Sequence, residues 1–349
     1  MALIHLGRDR GGRPYDLAPA ELAAHAGVFG ATGTGKTTTL KALIRGLLPE
    51  AAVVIVDAKG DPRFAAWAEA EAQQYGLPFR LVDPDAAATL GYNPCTGAPA
   101  TVATKLVGAF TWGSQEGQYY QNRAMAILPV VCRALVAAGQ PVTLDAVVDA
   151  TLVDRQRAAT MRAAGGAALQ ALADIPPADL RNVGARLEAL RQGAFGELFR
   201  TEPALDWEAV FAAPGVAYCS LATTAHSADV ELFAGVIAMD LQQVVAARRR
   251  AGRTAPPALV IFDEFSVLDQ ADQLRPLLLQ GRDAGLTLAI AGQSLPEAAL
   301  LRRAICQAGL LCVHRVDAAD AQYLAAEFGV RLVPRPSPSY AARRPGQPG

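Results

Sequence analysis

Short apolar runs recur along the chain, each closed by a turn-forming or charged residue: AGVF (26–29), AAVVIVDA (51–58), FRLVDP (79–84), GVAYCSLA (215–222), ALVIFDE (258–264), LTLAIAG (286–292) and, after them, LLCVHRV. Runs that stay apolar instead of alternating with polar residues suit strands buried on both faces. Helix-length segments separate most of them. That order predicts an α/β fold, with a mostly parallel central sheet covered by helices on both sides. Between about 98 and 205 the strand pattern stops, and the segment reads as four or five helices rich in Ala, Leu and Arg. An all-α insertion over 98–205 is therefore expected, dividing a nucleotide-binding domain into 1–97 and 206–333. The last residues, PRPSPSYAARRPGQPG (334–349), have the composition of a disordered Pro/Arg-rich tail.

The run AGVF leads directly into GATGTGKTTT, residues 30–39. The spacing G-x-x-x-x-G-K-T, carried by Gly30, Gly35, Lys36 and Thr37, is that of a P-loop: backbone N–H groups wrap the nucleotide phosphates and the lysine reaches the β- and γ-phosphates. Thr37 then faces Mg²⁺. The cradle is expected from Gly30, Ala31, Thr32, Gly33, Thr34, Gly35, Lys36, Thr37 and Thr38, and the apolar positions Leu40, Leu43 and Leu47 predict a helix directly after it. A phosphate at a helix N-terminus is what this order favours.

A P-loop needs an acidic strand end to hold the metal and activate water. ALVIFDEF supplies one: Asp263 is the expected Mg²⁺ partner through water and Glu264 the general base. The next strand ends in Gln293, placed to sense the γ-phosphate or the attacking water. Arg282, in GRDAG, and Arg315, after the last strand, are candidates for an arginine reaching a neighbouring subunit's nucleotide. Arg302 and Arg303 read as surface charges, and His25 as a packed or solvated residue. Lys59 and Arg63, in AKGDPR, are candidate contacts to DNA or phosphate.

Composition narrows the partners. Net charge is −1, which excludes a globally basic nucleic-acid binder and leaves room for a local basic surface. Of 32 basic residues only four are lysines, and two of them, Lys36 and Lys59, directly follow strand patterns. Five cysteines without a C-x-x-C pair predict neither a zinc site nor a disulfide framework, and fit a reducing cytoplasm. The start, MALIHLGRDRGG, has no leader pattern. The longest apolar stretch, Ala124–Ala138, is interrupted by Pro129 and Arg133, so no membrane helix is expected.

GATGTGKTTT, VVIVDAKGDP, the Tyr92–Pro94 motif YNP, ALVIFDEF and GRDAGLTLAIAGQS, in that order, resemble the FtsK/HerA superfamily of hexameric DNA-pumping ATPases. Within it the chain looks most like the coupling proteins of conjugation and type IV secretion. The D-x-K-G loop (Asp57, Lys59, Gly60), the N-P motif and the helical segment between the two nucleotide motifs point to that branch. The lead-in IHLGRDRGGRPYDL looks HerA-like. Most coupling proteins carry N-terminal membrane helices, which this sequence does not show. The resemblance implies a RecA-like P-loop NTPase with ATP and Mg²⁺ between neighbouring subunits of a homohexamer. DNA would lie in the central pore, contacted largely without regard to sequence. It implies a cytoplasmic location, with recruitment to the inner face of the membrane by an anchor protein, and a relaxase or nuclease as partner. The function expected is ATP-driven translocation of double-stranded DNA during conjugation-like transfer. The alternatives are a HerA-like helicase in DNA-end processing and an ATP-gated adaptor for protein substrates of a secretion system.

Overall fold

The computed structural model describes residues 3–8, 11–110, 112, 115–222, 227–252, 256–268 and 273–329. The expected tail, 334–349, lies outside them. The chain opens on an antiparallel hairpin, β1 (Ile4–Arg8) and β2 (Pro14–Leu17), which the apolar pattern does not announce. Seven parallel strands then form the main sheet among the described residues: β3 (Ala26–Phe29), β4 (Ala52–Asp57), β5 (Phe79–Val82), β6 (Gly215–Ser220), β7 (Ala258–Asp263), β8 (Leu286–Gly292) and β9 (Leu310–Val313). Their order is β5-β6-β4-β7-β8-β3-β9, so the P-loop strand β3 lies between the two strands that come last in the chain.

The five inner strands were apolar runs because they are buried on both faces, whereas the edge strands β5 and β9 are only partly buried; alternate residues divide between two cores. One face presents Phe29, Val54, Val56, Val260, Phe262, Leu288 and Ile290. The other presents Val28, Val53, Ile55, Leu259, Ile261 and Ala289. Against this second face pack α1 (Lys36–Leu47), through Leu40, Leu43 and Ile44, and α2 (Pro62–Gln74), through Phe64, Ala68 and Ala72. The hairpin closes over α1, with Ile4 against Gly46.

The segment from 98 to 205 is helical, with six α-helices where the composition suggested four or five: α3 (Pro99–Gly108), α4 (Gln115–Ala137), α5 (Leu144–Leu152), α6 (Asp154–Ala164), α7 (Gly166–Ala173) and α8 (Pro177–Gln192). At two of the junctions neighbours share a single boundary residue. Val153 ends α5 and starts α6, and Gly165 does the same between α6 and α7. These helices bury Val102, Leu106, Leu128, Val131, Val147 and Leu187 in the same core as the first sheet face.

After α9 (Trp207–Ala212) and β6, α10 (Ser227–Ala251) runs against both α3 and α8. Its span Ala228–Ala251 is long and apolar enough to cross a membrane, with mean hydropathy 1.5, yet 61% of it is buried inside the protein. The sequence pointed instead to Ala124–Ala138, which lies largely in α4; that helix continues through Pro129. The acids that break up the apolar run of α10 are taken up by partners: Asp229 accepts the Ala194 backbone N–H, and Asp240 sits in a buried network described below. The chain ends its described part with α11 (Leu274–Gln280), α12 (Ala299–Cys306) and α13 (Ala318–Phe328).

Candidate nucleotide site

Parallel strands bring their C-terminal ends to one edge of the sheet, which is where open α/β sheets bind ligands. Here β4, β7, β8 and β3 are successive neighbours, so Asp57 stands beside Asp263, and Phe29 beside Gly292. The loops that follow these strands carry nearly all the predicted site residues.

The P-loop folds through its glycines. Gly30, Gly33 and Gly35 have φ of 153°, 75° and 111°, values that a side chain disfavours. Gly35 caps α1. A Cβ on Gly30 would lie 2.5 Å from His314 Cβ, so this position also needs its bare backbone. The Gly30 N–H donates to Gly292 O at 3.1 Å and the Ala31 N–H to Arg315 O at 2.7 Å. These two residues anchor the loop to β8 and β9, and leave the cradle to the N–H groups of residues 32, 33 and 35–38. The buried Lys36 ammonium donates to the loop's own carbonyls, Gly30 O at 2.5 Å and Ala31 O at 3.2 Å. Its pKa is lowered, first by burial and then by the charge of Lys59, against the raising influence of Glu264 and Asp263. Thr37 is half-buried in the first turn of α1.

At the end of β7, Asp263 is buried, and its Oδ1 has no hydrogen-bond partner. Burial raises its carboxyl to about 6, with the nearby charges of Lys59 and Lys36 opposing and those of Asp57 and Glu264 assisting. Glu264 has φ of 63°, a left-handed conformation that costs a non-glycine residue about 1–2 kcal/mol. Its side chain is held on every side: Oε2 pairs with Lys59 Nζ at 2.8 Å and accepts from Gln293 Nε2 at 3.2 Å, and Oε1 accepts from Ser266 Oγ at 3.2 Å. Burial pushes its pKa up, but the bond to Lys59 and that ammonium's charge outweigh it and hold the carboxyl below the ordinary value.

Lys59 reaches this carboxylate from the loop after β4. The buried Asp57 builds that loop: Oδ1 accepts the Lys59 backbone N–H at 2.9 Å, and Oδ2 accepts the Asp61 N–H at 2.7 Å and the Tyr218 hydroxyl at 2.6 Å. Gly60, at φ 62°, lies where a Cβ would come 2.9 Å from Ala222 Cα.

The structure thus brings Lys36, Lys59, Asp263, Glu264 and Gln293 together. Arg63 is exposed in the first turn of α2, with only its backbone N–H bonded, to Asp61 Oδ1, among the contacts described. Arg282 lies at the opposite end of the sheet, in the 3₁₀ turn before β8. Arg315 is exposed beside the P-loop, which its carbonyl anchors. Arg302 is more than a surface charge: it donates to Pro296 O at 2.6 Å and lies over the Tyr323 ring. His25 is packed; its Nδ1 accepts the Leu288 backbone N–H at 3.0 Å, so Nε2 holds the proton and donates it to Leu278 O at 2.7 Å. The sequence reading passed over His314. This residue follows β9, bonds Thr39 Oγ1 at 3.1 Å and packs on Gly30 and Gly35. Only the adjacency of β9 and β3 places it there.

Three features suit a nucleoside polyphosphate with its divalent cation: a glycine loop open to an anion at a helix N-terminus, an ammonium turned onto nearby carbonyls, and a buried carboxylate oxygen with no partner. Residues 4–95, which include the P-loop and the Asp57–Lys59–Gly60 loop, match the family described as "Helicase HerA, central domain" (DUF87). No curated protein sequence matches it.

Solved structures carry the likeness over the whole fold. The bacterial conjugative coupling protein TrwB, in a trigonal form with sulphate, is 17% identical with a TM-score of 0.64, over 92% of this chain and 77% of that one. TrwB with the ATP analogue ADPNP is 19% identical with a TM-score of 0.58, over 93% and 73%. VirB4 of Thermoanaerobacter pseudethanolicus is 13% identical with a TM-score of 0.57, over 95% and 89%. The fold is that of a RecA-like P-loop NTPase, and TrwB has also been solved with ADP and Mg²⁺.

Proposed function

We propose that this chain is an ATPase that moves double-stranded DNA, assembled as a homohexamer with nucleotide between neighbours, and that it serves conjugation-like transfer at the inner face of the membrane through an anchor partner. The observation that carries the reading is the carboxylate pair at the end of β7. A buried, unpartnered Asp263 is followed by Glu264, held in reach of the P-loop side by Lys59 and Gln293. In this reading ATP lies on residues 30–38, Lys36 faces its β- and γ-phosphates, and Thr37 and Asp263 hold Mg²⁺, which supplies charge neutralisation on the phosphates. Glu264 takes the proton of the attacking water, and Gln293 orients that water or the γ-phosphate. Arg282, remote from its own P-loop, is offered to the neighbour's nucleotide, while Arg315 serves its own. Lys59 is assigned to the nucleotide and Arg63 to the DNA side. The six-helix segment 98–205 forms a domain that caps one mouth of the ring, where DNA or a relaxase complex docks.

The test is the ATPase rate with and without long double-stranded DNA at low and moderate salt, with Glu264→Gln as control. Strong stimulation that fades with salt is expected, since phosphate contacts release counterions. The control should turn over at least about a hundredfold more slowly. No stimulation by DNA overturns the translocase reading and leaves an ATP-gated adaptor for protein substrates. The match of residues 4–95 to the HerA central domain favours a second reading, DNA-end processing beside a nuclease. Stimulation by linear but not by closed circular DNA would select it.

A further inference from the structure

Glu264 is poorly disposed to act as a base while Lys59 holds it. One oxygen carries both the ammonium at 2.8 Å and the Gln293 amide at 3.2 Å, which together take up the lone pairs it would offer to a water's proton. The ammonium has room to leave. Lys59 has a backbone fixed by Asp57 and Gly60, while its side chain is 37% exposed against 11% for Glu264. Its ammonium lies on the carboxylate at the end of β7, at the same edge of the sheet as the P-loop and Lys36. An anion bound on the P-loop at that edge would offer the Lys59 ammonium a second partner.

We infer that Lys59 is a latch on Glu264, which it exchanges for the terminal phosphate of a nucleoside triphosphate bound on the P-loop, freeing Glu264 to take the water's proton. This inference rests on reading the site as an ATPase. A diphosphate has no terminal group to draw the ammonium away, so the latch stays on Glu264. Lys59 is a positioning residue toward the base and a discriminating contact toward the ligand. Only side-chain torsions of a flexible four-carbon stem need to change. The exchange replaces one charge-assisted bond by another.

The test is calorimetric affinity for ATP and ADP, each with Mg²⁺, in the full-length protein and its variants. Lys59→Met is expected to weaken ATP by about tenfold and to leave ADP within about twofold, the retained ADP binding showing that the site is folded. Lys59→Arg should restore most of the preference for ATP. Glu264→Gln should bind ATP several-fold tighter than the wild type, because nothing competes for the ammonium, and that gain should vanish when Lys59→Met is added. Equal loss of ATP and ADP affinity in Lys59→Met, or an unchanged ratio between them, overturns the latch while leaving the ATPase reading intact. A gain in Glu264→Gln that persists without Lys59 does the same. A wild-type protein that binds neither nucleotide overturns both.

Discussion

Two of the four lysines end on a carboxylate, and the two pairs differ in nearly everything else. Lys105 Nζ meets Asp240 Oδ1 at 2.7 Å between α3 and α10, with side-chain exposures of 2% and 4%. The remaining capacity of that pair is filled: Lys105 also donates to Thr96 Oγ1, Tyr92 donates to Asp240 Oδ2 at 2.6 Å, and Trp207 donates to the Tyr92 hydroxyl. Burial raises the pKa of both Asp240 and Tyr92. The Lys59–Glu264 pair has similar length but lies open at the sheet edge, crowds two donors onto one oxygen, and hangs from a backbone in a left-handed conformation. A sealed and saturated pair joins elements together. An open pair on strained backbone is free to change partners.

Breaking the sealed pair should have the largest effect on stability. Lys105→Met leaves Asp240 buried without a counter-charge and is expected to cost about 3–5 kcal/mol in urea unfolding, part of it recovered by adding Asp240→Leu. A loss below about 1 kcal/mol would mean that the pair does not tie α3 to α10.

Asp263 comes next, and its effect depends on pH. Its folded carboxyl titrates at about 6, against an ordinary value of 3.8. The folded protein therefore binds this proton more readily than the unfolded chain. The stabilisation is complete below about 4 and is lost as pH rises through about 6, amounting to about 2–3 kcal/mol at most. Asp263→Asn should accordingly raise the melting temperature at pH 8 but not at pH 4, measured without nucleotide, while abolishing Mg²⁺-dependent turnover. Equal shifts at both pH values would show that the carboxylate's charge is not what destabilises this site.

The smallest effect belongs to the open pair. Lys59→Met should change unfolding free energy by less than about 1 kcal/mol, because the ammonium is more than a third exposed and solvent screens it, while Gln293 and Ser266 still donate to the carboxylate. A larger loss would make Lys59 a structural partner like Lys105.

The sheet was legible because its signal is local. β3 and β8 begin and end with the apolar runs 26–29 and 286–292, since a strand buried on both faces leaves little room for polar positions; Thr287 in β8 is half-buried and donates to Leu22 O. The hairpin β1–β2 was not. Its strands are short, mix apolar with polar or charged residues in IHLGR and PYDL, and are interrupted by a bulge between His5 and Gly7. The helices of the inserted segment were undercounted because a shared cap at Val153 or Gly165 leaves no linker for composition to reveal. In the nucleotide site, Lys36, Asp263 and Glu264 stood out by spacing within single loops. The Lys59–Glu264 bond and the packing of His314 on the P-loop arise from strand order, which joins residues far apart in the chain. YNP was visible as a motif, yet its tyrosine is bonded to Asp240 in the core.

The order of the strands also bears on synthesis. The P-loop strand is made early, but both its neighbours, β8 and β9, are supplied by residues 286–292 and 310–313. On the ribosome, β3 waits with two unpaired edges until almost all of the described chain has emerged, a non-local closure that is slow and exposed to aggregation. A product terminated before β8 cannot anchor Gly30 or Ala31. Retention on an immobilised nucleotide would thus sort finished polypeptides from unfinished ones.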